Sequence, residues 1–348
     1  MERLLSAGKS DEDDGEKTLR PVSLNDFTGQ KRVVENLKVF LESAKIRKKT
    51  LDHVLLAGPP GLGKTTLAMI LAKELGVNIR ATSAPAIEKA GDLASILTSL
   101  EENDLLFIDE IHRLSPVVEE ILYPAMEDRS IDIIIGQGTG AKSVKINLAP
   151  FTLVGATTRT GLLTAALRDR FGIPCKLDYY EQDDLVKIAH RTANILGYQI
   201  SEEACEEISK RSRRTPRILN RLMRRVSDYS TVQNKNIIDA GISKFALDRL
   251  EIDHLGLDDM DRKILNVIID HYEGGPVGLK TIAISVGEEV DTIEDFYEPF
   301  LVQCGLIKRT PRGRMATRKA YQHLGIPDAL VKNAESPIQK PLFADNEE

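Results

Sequence analysis

The sequence predicts an α/β protein: a doubly wound parallel sheet built around a P-loop, followed by a small helical domain and a C-terminal winged helix. Three stretches carry that expectation. Gly58-Pro59-Pro60-Gly61-Leu62-Gly63-Lys64-Thr65 matches the phosphate-loop pattern G-x-x-x-x-G-K-[ST] at every fixed position. Leu105-Leu106-Phe107-Ile108 is an apolar run that delivers two carboxylates, Asp109 and Glu110, to its end. Beyond residue 256 the composition shifts to three helical segments and a basic hairpin.

The phosphate loop lies in the context that gives its pattern meaning. Val54-Leu55-Leu56-Ala57 before it reads as a buried strand, and residues 66–75 after it as an apolar-rich helix ended by Gly76. The glycines let backbone N–H groups curl around an anion, and the helix N-terminus adds its dipole. Lys64 is placed to reach the β- and γ-phosphates of a nucleotide, and Thr65 to put a hydroxyl on Mg²⁺. Ligands of open α/β sheets bind at the C-terminal edge, where the second motif places its acids. There Asp109 suits a Mg²⁺ held through water, and Glu110 suits a base orienting the attacking water.

Around these motifs the chain alternates strands and helices. Residues 1–18, centred on Asp11-Glu12-Asp13-Asp14, read as a mobile tail. A helix is expected after Gln30, through about residue 48, with Val33, Val34, Leu37, Phe40 and Leu41 at helical spacing. A strand at 77–81, a helix at 91–100, a strand at 151–159 ending in hydroxyls, and a final strand around 176–180 complete the sheet. Residues 131–148 read as a β-hairpin around Gly136-Gln137-Gly138-Thr139-Gly140, either a partner contact or an extension of the sheet.

From residue 181 to about 250 the pattern is helical. Residues 210–225 hold eight basic side chains and no acid, which reads mostly as a solvated helix face. Arg217 is set apart because Thr215-Pro216 starts a helix there and fixes its position. Helices at 257–272, 279–286 and 291–303, followed by a hairpin turning at Pro311-Arg312-Gly313, make the winged helix. Its residues 308–319 carry Lys308, Arg309, Arg312, Arg314, Arg318 and Lys319 without an acid, a local patch suited to nucleic acid. The expected domains are therefore 19–180, 181–252 and 253–332, between tails at 1–18 and 333–348.

Composition agrees. A chain of 348 residues, 42% hydrophobic, can bury two or three cores. The net charge of −6 means that any nucleic-acid contact must come from a local patch. Cys175, Cys205 and Cys304 are too sparse for a disulfide framework or a zinc site. The N-terminus has no apolar signal region, and no stretch approaches a membrane span, so a soluble, cytoplasmic protein is expected.

Taken together, the P-loop, Asp109-Glu110, Gly155-Ala156-Thr157-Thr158-Arg159, Arg168-Asp169-Arg170-Phe171-Gly172 and Thr215-Pro216-Arg217 resemble the AAA+ ATPases. Ile111-His112-Arg113-Leu114-Ser115-Pro116, Tyr123-Pro124-Ala125-Met126-Glu127-Asp128, Gly274-Gly275-Pro276-Val277-Gly278-Leu279 and Arg309-Thr310-Pro311-Arg312-Gly313-Arg314 are similar to the RuvB family of bacterial Holliday-junction branch-migration motors. The resemblance covers roughly residues 18–325. It implies ATP and Mg²⁺ as ligands, with Leu19, Arg20 and Tyr180 near the adenine and Gly61, Gly63, Lys64, Thr65 and Thr66 on the phosphates. It implies Thr158 (or Thr157) and Arg217 as γ-phosphate sensors, and Arg170 as an arginine finger acting on the neighbouring subunit's ATP. Glu127, Asp128 and Arg129 would line the nucleotide at the subunit boundary, Arg129 standing where an aromatic is expected. The partners implied are double-stranded DNA at a Holliday junction, RuvA through the 131–148 hairpin, RuvC in the full complex, and identical subunits in a hexameric ring. Arg309 and Arg314 would touch DNA.

The alternative is an ATP-dependent switch of the clamp-loader or initiator kind, which the P-loop and finger do not separate from a motor. A protein-remodelling ATPase is disfavoured by the absence of an aromatic-Val-Gly pore loop and by the basic wing.

Overall fold

The apolar runs of the first half become the strands of one sheet. The computed structural model describes residues 19–135 and 142–327, so both expected tails and the tip of the expected hairpin lie outside the described residues. In chain order the first half contains α1 (Lys31–Arg47), β1 (Val54–Ala57), α2 (Lys64–Leu75), β2 (Ile79–Ser83), α3 (Ala90–Thr98), β3 (Leu105–Asp109), α4 (Pro116–Glu127), β4 (Ser130–Ile135), β5 (Lys142–Asn147), β6 (Thr152–Thr157), α5 (Ala165–Asp169) and β7 (Ile173–Lys176). Every residue of β1 and β6 is buried, as a strand covered on both faces requires. Fully burying each such Val or Leu contributes about 1.5–3 kcal/mol before chain entropy is counted.

Five strands form the sheet in the order β2-β3-β6-β1-β7, and each neighbouring pair is parallel. This is the doubly wound sheet that the sequence predicts. Its order matters for the site. Because β6 lies between β1 and β3, the residues that follow β6 emerge between the phosphate loop and Asp109-Glu110.

Two expected strands shift. The strand expected at 77–81 is β2 at Ile79–Ser83, and the one expected around 176–180 is β7 at Ile173–Lys176. In β7 burial alternates, with Ile173 and Cys175 inward. Its Pro174, which cannot donate to a ladder, is tolerated because among the described residues β7 pairs only with β1. The hairpin pairs Ser130 with Asn147 through Ile135 with Lys142 as a separate two-stranded ribbon, so it does not extend the sheet. Its base is core: Ile131 is buried, and Ile146 packs against the same cluster.

The helical domain follows as α6 (Gln182–Leu196), β8 (Gln199–Ile200), α7 (Glu202–Lys210), α8 (Pro216–Val232), β9 (Ile237–Ile238) and α9 (Ala240–Arg249), the two short strands pairing in parallel. Here the expectation of a mostly solvated basic face holds for Lys210 and Arg214, which are exposed, and fails for two of the eight residues. Arg211 and Arg213 are buried, and Arg211 Nη2 lies 2.5 Å from Glu207 Oε1. Arg214 donates from Nε to Tyr180 O at 2.9 Å and from Nη2 to Glu181 at 2.9 Å. The turn between α7 and α8, with Arg213 and Arg214 at positive φ, folds Arg211 and Arg213 inward, while the exposed Arg214 ties the helical domain to residues 180–181. A run of like charges does not reveal a reversal of the backbone, so the sequence pattern misses this.

A second compact unit begins at Leu247. It contains α10 (Asp259–Asn266), continued by a π-helical turn (Val267–His271), α11 (Leu279–Val286), α12 (Val290–Thr292), a second π turn (Ile293–Tyr297), α13 (Glu298–Gln303), β10 (Ile307–Thr310), β11 (Gly313–Ala316) and α14 (Arg318–His323). These are the expected three helical segments and hairpin. The helices bury Ile264, Leu265, Ile268, Ile282, Tyr297 and Leu301 in one core. Val277 adds a third edge to the hairpin, exchanging hydrogen bonds with Arg314 at 2.9 and 2.8 Å. Gly313 is required there, since a Cβ would stand 2.4 Å from Val277 O at a φ of +141°.

Candidate functional site

The loop after β1 and the start of α2 line a cavity of about 630 Å³. Its walls include Leu19, Arg20, Gly61, Gly63, Lys64, Thr65, Thr66, Asp109, Glu110, Tyr180 and Arg217, so residues far apart in the chain converge there. Gly61 and Gly63 adopt φ of +79° and +99°. A Cβ on Gly61 would press on Arg217 Cβ, and one on Gly63 on the Phe27 ring, each at 3.0 Å. The loop is thus glycine for two reasons, its backbone conformation and the closeness of its neighbours.

Lys64 is buried, and its ammonium donates to Gly58 O at 2.7 Å and Pro59 O at 2.9 Å. Burial pulls its pKa down to about 8, against the attraction of Glu110 and Asp109 and with a smaller push from Arg217. Arg217 is held by its own backbone, whose N–H donates to Gly61 O at 3.3 Å. Opposite, Tyr180 is buried and donates its hydroxyl to Leu62 O at 3.2 Å; desolvation pushes that phenol up.

Asp109 closes β3, and Glu110 follows it at a φ of +50°. Thr158 donates from Oγ1 to Glu110 Oε2 at 3.1 Å. Thr158 is absent from the cavity wall and acts on it through that carboxylate. Thr157 is fully buried, with its hydroxyl 2.9 Å from His112 Nδ1. The choice between the two threonines left open by the sequence is thereby given a geometry: Thr158 faces the acid and Thr157 the core. His112 Nδ1 also lies 3.3 Å from Glu110 Oε2, a neighbour that sequence reasoning did not assign to the site. Phe27, Thr28, Ile188, Arg191, Pro216 and Asn220 also line the cavity; sequence reasoning assigned none of them to the site, although Pro216 stands beside Arg217 in the Thr215-Pro216-Arg217 motif.

The donor set suits a magnesium nucleotide. Thr65 and Asp109 bring hard oxygen donors to the cavity wall. Among the described residues no cluster of three or more His, Cys, Asp or Glu could hold a metal alone. Mg²⁺ is typically bound by one or two protein oxygens with water and substrate phosphates completing its shell.

Arg170, Glu127 and Arg129 lie elsewhere. They line a second concavity of about 360 Å³, together with Asp52, His53, Phe151 and Gly172. Those last residues precede β1, β6 and β7, which places this concavity at the N-terminal edge of the sheet, while Lys64 follows β1 at the other edge. At about 3.3 Å per residue, the run from His53 to Gly58 spans roughly 16 Å. Arg170 pairs with Glu127 at 3.2 Å, donates to Ala166 O at 2.7 Å, and stacks its guanidinium 4.4 Å from the centre of the Tyr123 ring. Asp128 is exposed and lines neither cavity.

In the winged unit, Arg309 and Arg314 are direct cross-strand partners, and so share one face of the hairpin. Both converge on Glu298, which is 1% exposed: Arg309 Nε at 2.7 Å, Arg314 Nε at 2.8 Å and Arg314 Nη2 at 3.0 Å. The two arginines stand on opposite arms of the hairpin, and the cross-strand register turns both toward one acid. Glu298 holds the Arg314 pKa above its usual value. Arg309 stays half exposed.

Comparison with known proteins covers almost the whole described chain. The family model for the Holliday junction DNA helicase RuvB P-loop domain matches residues 19–177, the RuvB AAA lid domain residues 180–253, and the RuvB C-terminal winged helix domain residues 254–325. Among solved structures, the Thermotoga maritima RuvB Holliday junction branch migration motor is 52% identical with a TM-score of 0.82, covering 89% of this chain and 99% of its own. The K64R mutant of that RuvB is 53% identical with a TM-score of 0.83, over 88% and 98% of the two chains. Its R170A mutant is 52% identical with a TM-score of 0.81, over 88% and 98%.

Proposed function

Because this chain belongs to the RuvB family of Holliday junction branch-migration motors, a family of P-loop, helicase-type ATPases, we propose that it works as a ring of identical subunits. In this reading ATP hydrolysis at subunit boundaries pulls duplex DNA through the ring, with RuvA holding the junction and gripping the 131–148 hairpin, and RuvC joining the full complex. The observation that carries the reading is the convergence of Lys64, Thr65, Asp109, Glu110 and Arg217 on one cavity, while Arg170 lies at the opposite edge of the same sheet. An arginine so placed serves a neighbour's nucleotide rather than its own.

Each residue has a definite task. Backbone N–H groups of the loop and the α2 N-terminus cradle the phosphates, and Lys64 neutralises charge between β and γ. Thr65, and Asp109 through water, would hold Mg²⁺, which would supply further charge neutralisation when bound. Glu110 takes a proton from water as the water oxygen bonds to the γ-phosphorus and the bond to ADP breaks. Thr158 keeps the Glu110 carboxylate in place. Arg217, on the first turn of α8, senses the γ-phosphate from the helical domain. Leu19, Arg20 and Tyr180 pack about the adenine. Glu127, Asp128, Arg129 and Arg170 complete the neighbour's site.

The test is a synthetic four-way junction incubated with this protein, RuvA, ATP and Mg²⁺. Resolution into duplex arms that requires hydrolysable ATP supports the motor. Binding to the junction without arm separation would favour an assembly switch instead.

A further inference from the structure

His53 sits where the two halves of the proposed machinery meet, and its hydrogen bonds run to both. It directly precedes β1, the strand that leads into the phosphate loop. Its Nδ1 accepts from the Leu153 N–H of β6 at 2.8 Å. Its Nε2 lies 3.3 Å from Met126 O, one residue before Glu127. Its carbonyl accepts from Ile173 N–H at 3.0 Å, just beyond Arg170-Phe171-Gly172. The neighbouring Asp52 packs close to Gly172.

The partners determine the chemical state of the ring. A backbone N–H can only donate, so Nδ1 must carry a lone pair. A carbonyl can only accept, so Nε2 must carry the proton. A neutral imidazole in one tautomer satisfies both. Burial lowers the pKa of His53, as does Arg129, while the Met126 hydrogen bond and Asp52 raise it. Tilted packing on Phe151, with ring centres 5.6 Å apart, holds the plane.

We infer that His53 is a positioning residue for the finger side of the ATPase site: it anchors the end of α4, with Glu127 and the Asp128 and Arg129 that follow it, and the segment after Arg170 to strands β1 and β6. A neighbour's nucleotide then meets these groups at a fixed distance from this subunit's own phosphate loop. The inference rests on the reading that Arg170 acts between subunits.

Two variants separate the bonds. In His53→Asn the side-chain oxygen reaches the position of Nδ1 and can accept from Leu153, but nothing reaches Met126. In His53→Gln the longer amide reaches the position of Nε2 and can donate to Met126. Both are measured in the full-length protein for thermal unfolding, for binding of a fluorescent ATP analogue, and for kcat and KM of DNA-stimulated hydrolysis. His53→Asn should unfold near the parental temperature and bind the analogue within about twofold of the parent. Its kcat should fall by up to about 100-fold, the loss expected of a misplacement near 1 Å. His53→Gln should regain most of that kcat. Parental kcat in His53→Asn, no recovery in His53→Gln, or unfolding of both variants would overturn the inference, the last because the ring would then support the fold instead.

Mixed rings separate this inference from the reading beneath it. His53→Asn mixed with Lys64→Ala should regain hydrolysis, since each keeps the side that the other lacks. His53→Asn mixed with Arg170→Ala should not, since both are impaired on the same side; rescue there would overturn the role of His53. Failure of Lys64→Ala to rescue Arg170→Ala, with mixed rings demonstrated, would instead sink the between-subunit role of Arg170.

Discussion

Thr158 Oγ1 donates to Glu110 Oε2 across 3.1 Å, joining the residue beyond β6 to the residue beyond β3. The strand order puts these two positions side by side, and the hydrogen bond fixes which way the carboxylate faces. Glu110→Gln should therefore bind ATP at near-parental affinity while hydrolysing it about 100- to 10,000-fold more slowly, the range for a lost general base. Thr158→Val, which keeps the shape but removes the donor, should lose the equivalent of about 1.5–3 kcal/mol, roughly 10- to 150-fold in kcat. Single-turnover hydrolysis with labelled ATP measures both. Normal turnover by Glu110→Gln would remove it from the role of base.

Lys64 makes nucleotide affinity depend on pH. Its pKa in the folded chain is about 8 instead of the ordinary 10.5, because burial outweighs the attraction of Glu110 and Asp109. Anionic phosphates favour the ammonium form, so binding takes up a proton wherever the free lysine is partly neutral. ATP affinity should accordingly be full below pH 7 and decline as pH rises through about 8. Calorimetric titrations in two buffers of different ionisation enthalpy should reveal the proton uptake. Lys64→Arg cannot deprotonate and should show none; equal uptake in that variant would assign the proton to another group.

Arg170→Ala should fold, bind ATP and lose hydrolysis by about three orders of magnitude or more. Its guanidinium stacks on Tyr123 and pairs with Glu127 at the edge of the sheet away from Lys64, so its own cavity is left intact. ATPase assays across a series of mixing ratios with Lys64→Ala should show a maximum at intermediate composition. A flat response at every ratio would mean that each subunit works alone.

The wing arginines should divide their labour. Arg314 bonds Glu298 through two nitrogens and is mostly covered, whereas Arg309 uses one nitrogen and is half exposed. Arg314→Ala leaves a buried carboxylate short of partners and should destabilise the winged unit by about 1–3 kcal/mol. Arg309→Ala should leave thermal unfolding nearly unchanged, weaken duplex binding about equally on unrelated sequences, and flatten the log–log salt dependence by about one. Basal hydrolysis without DNA should survive in both. A duplex-binding salt titration that does not respond to Arg309→Ala would place the phosphate contacts elsewhere on the protein.

Much of this molecule is legible in its sequence because the relevant chemistry is local. A phosphate loop must carry glycines beside a lysine and a hydroxyl, and a buried strand must be apolar until it releases Asp109 and Glu110. The wing announces itself through helical spacing followed by a basic turn at Pro311-Arg312-Gly313. What the tertiary structure alone decided depends on which segments become neighbours. The placement of β6 between β1 and β3 brings the end of β6 to Glu110, whose partner there is Thr158 and not Thr157, and no local pattern encodes strand order. Cross-strand register turns Arg309 and Arg314 onto one buried acid, Glu298, at the start of α13. A reversed turn buries Arg211 and Arg213 inside what reads as a solvated face. His53, a single histidine ahead of a strand, has no signature at all; its meaning comes from Leu153 and Met126, brought to its two ring nitrogens by the packing of the sheet and α4.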